Sequence, residues 1–185
     1  MARTPSNMIP LGTRAPDFSL PDVVSGETKT LGELKSDRAT VIMFICNHCP
    51  FVRHVLDGIL QLAHDYIPRG VSFIAINAND YEAYPDDSPE NMKKLAQEKA
   101  FPFVYLVDET QEVARAYEAA CTPDFYVFDG DLSLVYRGQL DDARPGNEVP
   151  VTGKDIRAAL DALLSGQPVS DQQKPSVGCN IKWKA

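Results

Sequence analysis

The sequence predicts an α/β fold in which helices flank a central mixed β-sheet, and three observations carry that prediction. Residues 40–45 contain the unbroken apolar run Val41-Ile42-Met43-Phe44-Ile45, which suits a central strand covered on both faces. Val52, Val55, Leu56, Ile59, Ala63 and Tyr66 then recur at three- and four-residue spacing, the apolar stripe of a helix. Towards the other end Asp129-Gly130 separates two apolar runs, the strongest short hairpin signal in the chain, so an antiparallel pair closes the sheet.

The 185 residues, 44% hydrophobic and 24% charged, match one globular domain, so 1–185 read as a single unit. Residues 1–39 carry Pro5, Pro10, Pro16 and Pro21 among short apolar pieces such as Phe18-Ser19-Leu20. They read as an N-terminal β extension of arms and turns belonging to that domain. The helix after the first strand stops at Pro68 and Gly70. Residues 71–76 form a second strand, followed by an acidic loop with Asp80, Glu82, Asp86 and Asp87 that is expected to be exposed. Ser88 caps a helix whose first position is Pro89 and which runs to about Lys99. A third strand covers 103–107, Asp108 caps a short helix through Tyr117, and strands 125–128 and 132–136 flank Asp129-Gly130. Ile156, Ala159, Leu160, Leu163 and Leu164 stripe the last helix, which Ser165-Gly166 ends before Pro168. Residues 167–185 read as a polar C-terminal tail of the same domain, interrupted by Val177 and Ile181-Lys182-Trp183.

Charge and cysteine usage narrow the function. Eighteen basic against 26 acidic residues leave a net charge of -8, which repels a phosphate backbone or an anionic membrane, so nucleic acid is not an expected partner. The longest apolar run, 41–46, falls far short of the roughly 20 residues that span a bilayer. The residues after Met1 form no secretory pattern, so a cytoplasmic location is expected, where thiols are held reduced. Four cysteines are too few for a disulfide-built scaffold of this length. Closely spaced ones then point to catalysis or to a metal.

Cys46-Asn47-His48-Cys49-Pro50 stands where the first central strand turns into the first long helix. Two intervening residues let the sulfurs meet across one turn, and the helix N-terminus stabilises a thiolate. His48 adds a donor or positive charge, which is expected to lower a thiol pKa and make the pair more oxidising. Half a zinc site is the competing reading; with no second pair, and Cys121 and Cys179 standing alone, neither metal nor cofactor is expected. His54 and His64 read as solvated helix-face residues. Thr122-Pro123 lies just before a strand, and its proline is compatible with a cis peptide.

Three segments are similar to the thioredoxin-like superfamily, in particular its redoxin, peroxiredoxin-like branch. They are Ala15-Pro16-Asp17-Phe18-Ser19-Leu20, the turn Phe44 to Pro50, and Thr122-Pro123-Asp124-Phe125. The ending Gly178-Cys179-Asn180-Ile181-Lys182-Trp183 resembles a narrower group of thioredoxin family proteins. The resemblance implies a thioredoxin-like fold with a cis Pro123, and two mechanisms for the same residues. In thiol-disulfide exchange Cys46 attacks and Cys49 resolves, supported by Asn47, His48, Pro50, Thr122 and Pro123. In the peroxiredoxin alignment Cys49 is the peroxidatic thiol, and Pro50 in the first helical position would seat it at the N-cap.

The peroxidase pattern departs from the family at Cys46, which replaces a threonine, at Ile42, which replaces a proline, and in lacking an arginine near Thr122-Pro123. It departs from thioredoxin at Ile45, where tryptophan is usual, and in placing Pro50 after the pair. Thiol-disulfide oxidoreductase is therefore the first reading, with thiol peroxidase second and a non-enzymatic redox-sensing or binding module third. The implied partners are a disulfide-bearing protein or small molecule and a thiol reductant, with oligomeric state left open. Two further redox candidates are Cys121, otherwise a small buried apolar residue, and Cys179, otherwise a spare tail thiol.

Overall fold

The computed structural model describes residues 3–185. The chain begins with β1 (Arg3–Pro5), the hairpin of β2 (Ser19–Pro21) and β3 (Thr28–Thr30), and α1 (Leu31–Leu34). That single turn holds through a capping box, in which Thr30 accepts the Glu33 N–H and Glu33 accepts the Thr30 N–H. Then come β4 (Ala39–Phe44), α2 (Pro50–Tyr66), β5 (Val71–Asn77), α3 (Pro89–Glu98), β6 (Val104–Val107) and α4 (Glu112–Ala116). The remainder supplies β7 (Cys121–Thr122), β8 (Asp124–Asp129), β9 (Leu134–Gly138), α5 (Lys154–Leu164) and β10 (Val177–Asn180).

The central sheet has the order β6-β5-β4-β8-β9, parallel from β4 to β6 and antiparallel across β8 and β9. Every residue of β4 is buried, because side chains alternate between two apolar layers. Val41 and Met43 join the layer that holds α2, α3 and α5, while Ile42 and Phe44 join the layer holding α1, α4 and Tyr117. α2 buries the whole predicted stripe and adds Phe51, Leu60 and Leu62. Each large apolar side chain contributes about 1.5–3 kcal/mol on full burial, so packing rather than propensity holds this helix.

Three local expectations change. Asp108 is not the N-cap of α4; Gln111 is, in a left-handed conformation, while the Asp108 carboxylate reaches forward to accept the Ala114 N–H at 2.8 Å. The hairpin at Asp129-Gly130 forms, with β8 and β9 antiparallel, but β9 starts at Leu134 instead of 132. Asp129 Oδ1 accepts the N–H groups of Asp131 and Ser133, and Gly130 is needed where a Cβ would collide with the Asp37 carbonyl oxygen. In the acidic loop Glu82 and Asp86 are exposed, but Asp87 is buried. The tail packs on the domain: β10 lies between β1 and β7 in a three-stranded antiparallel sheet, and Ile181 is buried beyond it.

Candidate functional site

β4 delivers the chain to Cys46, and Pro50 opens α2, so the turn between them is pinned at both ends. Cys49 occupies the N-cap of α2, its side chain making no capping hydrogen bond, so the sulfur is left for other partners. Cys46 and Cys49 are only 3% and 4% exposed, and both meet Thr122. Cys46 Sγ lies 3.3 Å from Thr122 Oγ1, and Cys49 Sγ lies 3.3 Å from the Thr122 carbonyl oxygen. The Thr122-Pro123 peptide is cis.

Burial pushes the Cys46 thiol above its ordinary pKa, and the negative charge of Asp87 pushes it further. Hydrogen bonds from Thr122 and from the backbone N–H groups of Cys49 and His48 pull against that rise. The net direction is upward, against the lowered thiol expected from the helix terminus and His48.

A third sulfur completes the arrangement. Cys49 is joined to Cys179 by a disulfide with the Cα atoms 6.2 Å apart, while Cys46 and Cys121 are free thiols. The register of β10 explains how a residue 130 positions away arrives here: Cys179 pairs with Thr122 on one side and Arg3 on the other. Gly178 allows the approach, because a Cβ there would collide with the Thr122 carbonyl oxygen. A cavity of about 330 Å³ opens onto Cys46, Cys49 and Cys179, with His48, Tyr84 and Lys182 at its walls. Trp183 does not line it; its ring stacks beneath the Arg115 guanidinium, 4.5 Å away.

Cys121 is placed differently. It is fully buried, its Sγ 3.7 Å from the Pro123 carbonyl oxygen, and burial followed by the Asp124 charge drives its pKa far up. A thiol so placed is a poor nucleophile at neutral pH.

Behind Cys46 lies a polar cluster that pattern reading missed. Asp87 is 5% exposed and accepts the Asn47 N–H at 2.7 Å, Asn77 Nδ2 at 3.1 Å and Asn79 Nδ2 at 3.0 Å. Tyr105 donates to Asn47 Oδ1 at 2.8 Å and accepts from Asn77 Nδ2 at 3.3 Å. Burial, then the charges of Cys46 and Asp87, push the Tyr105 hydroxyl well above its usual range. The available signal was Asn77-Ala78-Asn79, two amides at the carboxyl end of a buried strand, where open α/β sheets gather their sites.

His48 turns outward, its side chain 47% exposed. Nε2 lies 3.5 Å from Asp86, and Nδ1 lies 3.3 Å from Arg53 Nη2, so both ring nitrogens are engaged away from the sulfurs. Arg53 also donates to the Asn47 carbonyl at 3.2 Å. Arg137, fully buried, is committed to Asp124 through both Nη atoms, with Nη2 to Oδ2 at 3.1 Å.

The chain superposes on an uncharacterized conserved protein from Geobacillus kaustophilus with a TM-score of 0.98 and 66% identity, covering 100% of this chain and 97% of that one. It superposes on a hypothetical protein from Sinorhizobium meliloti with a TM-score of 0.96 and 49% identity, covering 98% of this chain and 99% of that one. The thioredoxin domain of a thiol-disulfide oxidoreductase from Bacteroides vulgatus matches with a TM-score of 0.62 and 16% identity, covering 81% of this chain and 97% of that one. This last likeness establishes a thioredoxin-like fold. No curated protein matches the sequence. Among the described residues no helix is long and apolar enough to cross a membrane, and no group of three or more His, Cys, Asp or Glu is placed to hold a metal. Residues 11–137, which run from the N-terminal extension through the cysteine turn and the cis-proline to β9, match the AhpC/TSA family, and the chain belongs to it.

Proposed function

We propose that the protein is a thiol-disulfide oxidoreductase that reduces a substrate disulfide, with Cys46 as attacking thiol and Cys49 as resolving thiol. The Cys46 thiolate attacks one substrate sulfur, forming a mixed disulfide and expelling the other sulfur as a thiolate that takes up a proton. Cys49 then attacks Cys46 Sγ, releasing the second substrate thiol and leaving a Cys46–Cys49 bridge. The substrate gains two electrons, and a thiol reductant, as a cytosolic compartment supplies, restores the pair.

The observation that carries this reading is the set of donors aimed at Cys46 Sγ: Thr122 Oγ1 and the N–H groups of His48 and Cys49. They stabilise the Cys46 thiolate that must form before attack. The net upward shift of Cys46, in which burial and Asp87 outweigh those donors, supports the reducing direction, since a pair whose thiolate is on balance disfavoured holds its electrons less firmly. Asn47 supports the site by tying the turn to Asp87 and Tyr105, and Pro50 by starting α2.

A thiol peroxidase acting through Cys49 is the second reading, favoured by the N-cap seat of Cys49 and its bridge to Cys179. Against it, Arg53 is engaged by Asn47 and His48, and Arg137 by Asp124, so neither is poised to polarise a peroxide.

Reduced Cys46→Ser and Cys49→Ser proteins, each given an aromatic disulfide and hydrogen peroxide, separate the two. Cys49→Ser is expected to trap a mixed disulfide on Cys46, and Cys46→Ser to react far more slowly. Rapid sulfenic acid at Cys49 in Cys46→Ser, with no adduct on Cys46 in the other variant, would overturn the proposal.

A further inference from the structure

We infer that Cys179 is a third catalytic thiol that takes the bridge over from the Cys46–Cys49 pair, so that the oxidised protein rests as Cys49–Cys179 with Cys46 a thiol again. The inference rests on the oxidoreductase reading above and extends it by one step. Its basis is a juxtaposition at one residue. Thr122 touches Cys46 through its hydroxyl and Cys49 through its carbonyl, and it pairs in the sheet with Cys179. All three cysteines open onto the same cavity.

The exchange balances without an outside reagent. Cys179, as thiolate, attacks Cys49 Sγ; the Cys49–Cys179 bond forms as the Cys46–Cys49 bond breaks. Cys46 leaves as thiolate and takes up the proton that Cys179 gave up. No electrons enter or leave the protein, so the partition depends on how each sulfur is accommodated.

The surroundings favour the Cys179 side. Cys46 is buried beside the Asp87 carboxylate and keeps its proton readily once expelled. Cys179 is held at the exchange point by backbone pairing on both edges of β10, and the glycine before it lets the strand come this close. The Cys49–Cys179 bridge with Cys46 and Cys121 free is the pairing the structure holds.

Moving the bridge has a consequence for turnover. A released product thiol meets a Cys46 thiol instead of a Cys46–Cys49 disulfide, so back-reaction at Cys46 is removed. The regenerating thiol must then attack Cys49–Cys179 through the shared cavity.

The test is a quenched time course on the full chain. Reduced protein is mixed with a limiting aromatic disulfide, quenched in acid at intervals, alkylated, and mapped by mass spectrometry. The expected order is a Cys46–Cys49 bridge first, then Cys49–Cys179 with the alkyl label appearing on Cys46. Cys179→Ser should stop at Cys46–Cys49 and lose the second phase. If Cys179→Ser does not fold, the wild-type order alone decides. A wild-type end point that stays Cys46–Cys49, or a Cys49–Cys179 bridge that forms without that precursor, overturns the inference. Failure of the underlying reading looks different: Cys46→Ser would then react with the disulfide at the wild-type rate.

Discussion

Asp87 and Asp124 are two buried carboxylates at the same end of the molecule, and they are satisfied in opposite ways. Asp124, on β8 directly after the cis-proline, receives the Arg137 guanidinium through both oxygens and also accepts from Ser6 Oγ and the Ala120 N–H. Its charge is matched by another of opposite sign, and the Tyr126 ring stacks 4.0 Å from the same guanidinium. Asp87 receives three N–H groups, all from neutral asparagines. Hydrogen bonds satisfy its lone pairs, but it makes no ion pair among the described residues, and its charge acts on Cys46. One carboxylate fastens β8 to β9 and the N-terminal arm; the other adds to the rise that burial gives the Cys46 thiol. Burial alone therefore says little about a carboxylate's role, whereas the charge of its partners separates structure from chemistry.

The largest expected effect comes from breaking the matched pair. Arg137→Met leaves Asp124 buried without its counter-charge, and removing one partner of a buried ion pair costs about 3–5 kcal/mol. Chemical denaturation measures it. A loss below about 1 kcal/mol, the scale of an exposed pair, would show that Asp124 had been relieved by water or by Ser6 and that the contrast with Asp87 is false.

Asp87→Asn tests the other side. The amide keeps one acceptor oxygen but turns an NH₂ towards donors that need a carboxylate, and an unsatisfied buried group costs about 1–3 kcal/mol. The more telling readout is Cys46. Asp87 raises its pKa, so the variant's alkylation rate should climb at lower pH than the wild type's. It should still titrate above an ordinary thiol, because burial is the larger cause of the rise. An unmoved pH profile would remove Asp87 from the chemistry.

The same shift couples to folding with a definite sign. Below the ordinary thiol value of 9.0 Cys46 is protonated in both states and contributes no pH dependence. Above it the unfolded chain loses the proton while the folded chain keeps it, so stability falls as pH rises. Denaturation midpoints of wild type and Cys46→Ser should therefore diverge above pH 9.0, with the serine variant declining less.

Tyr105→Phe is a smaller perturbation. It removes the hydroxyl that donates to Asn47 Oδ1 and leaves Asp87 in place, so a cost of about 1 kcal/mol is expected with little change in the Cys46 pH profile. A shift as large as that of Asp87→Asn would mean that the tyrosine, through Asn47, governs the thiol.

The contrast also marks what the sequence could reveal. The unbroken apolar β4, the stripe of α2 and the cysteine spacing at their junction are local patterns, and they located the centre of the sheet and the turn that bears Cys46 and Cys49. The acidic, proline-bearing loop predicts an exposed Asp87; its burial depends on amides from Asn47, Asn77 and Asn79 converging from two strand ends. Arg137 falls just outside the predicted strand 132–136, and its partner lies across the β8–β9 pair. Cys179 is legible as a redox candidate but not as the partner of Cys49, because two short strands, β1 and β7, create that proximity. Long-range pairing of three- and four-residue strands leaves almost no periodic signal.

His48→Ala carries the smallest expected effect and sharpens the comparison from outside the core. The spacing Cys46-Asn47-His48-Cys49 suggested a positive charge beside the sulfurs, which would offset Asp87 and lower the thiol pKa. The ring instead spans Asp86 and Arg53 at the solvent edge, and an exposed contact of that kind is worth about 0–1 kcal/mol. What His48 supplies to Cys46 is its backbone N–H, which alanine retains. The variant should therefore keep the wild-type pH profile of Cys46 alkylation and the wild-type stability within about 0.5 kcal/mol. A profile moved to higher pH would restore the imidazole to the site and make Asp87 one of two opposing charges on Cys46 instead of the dominant one.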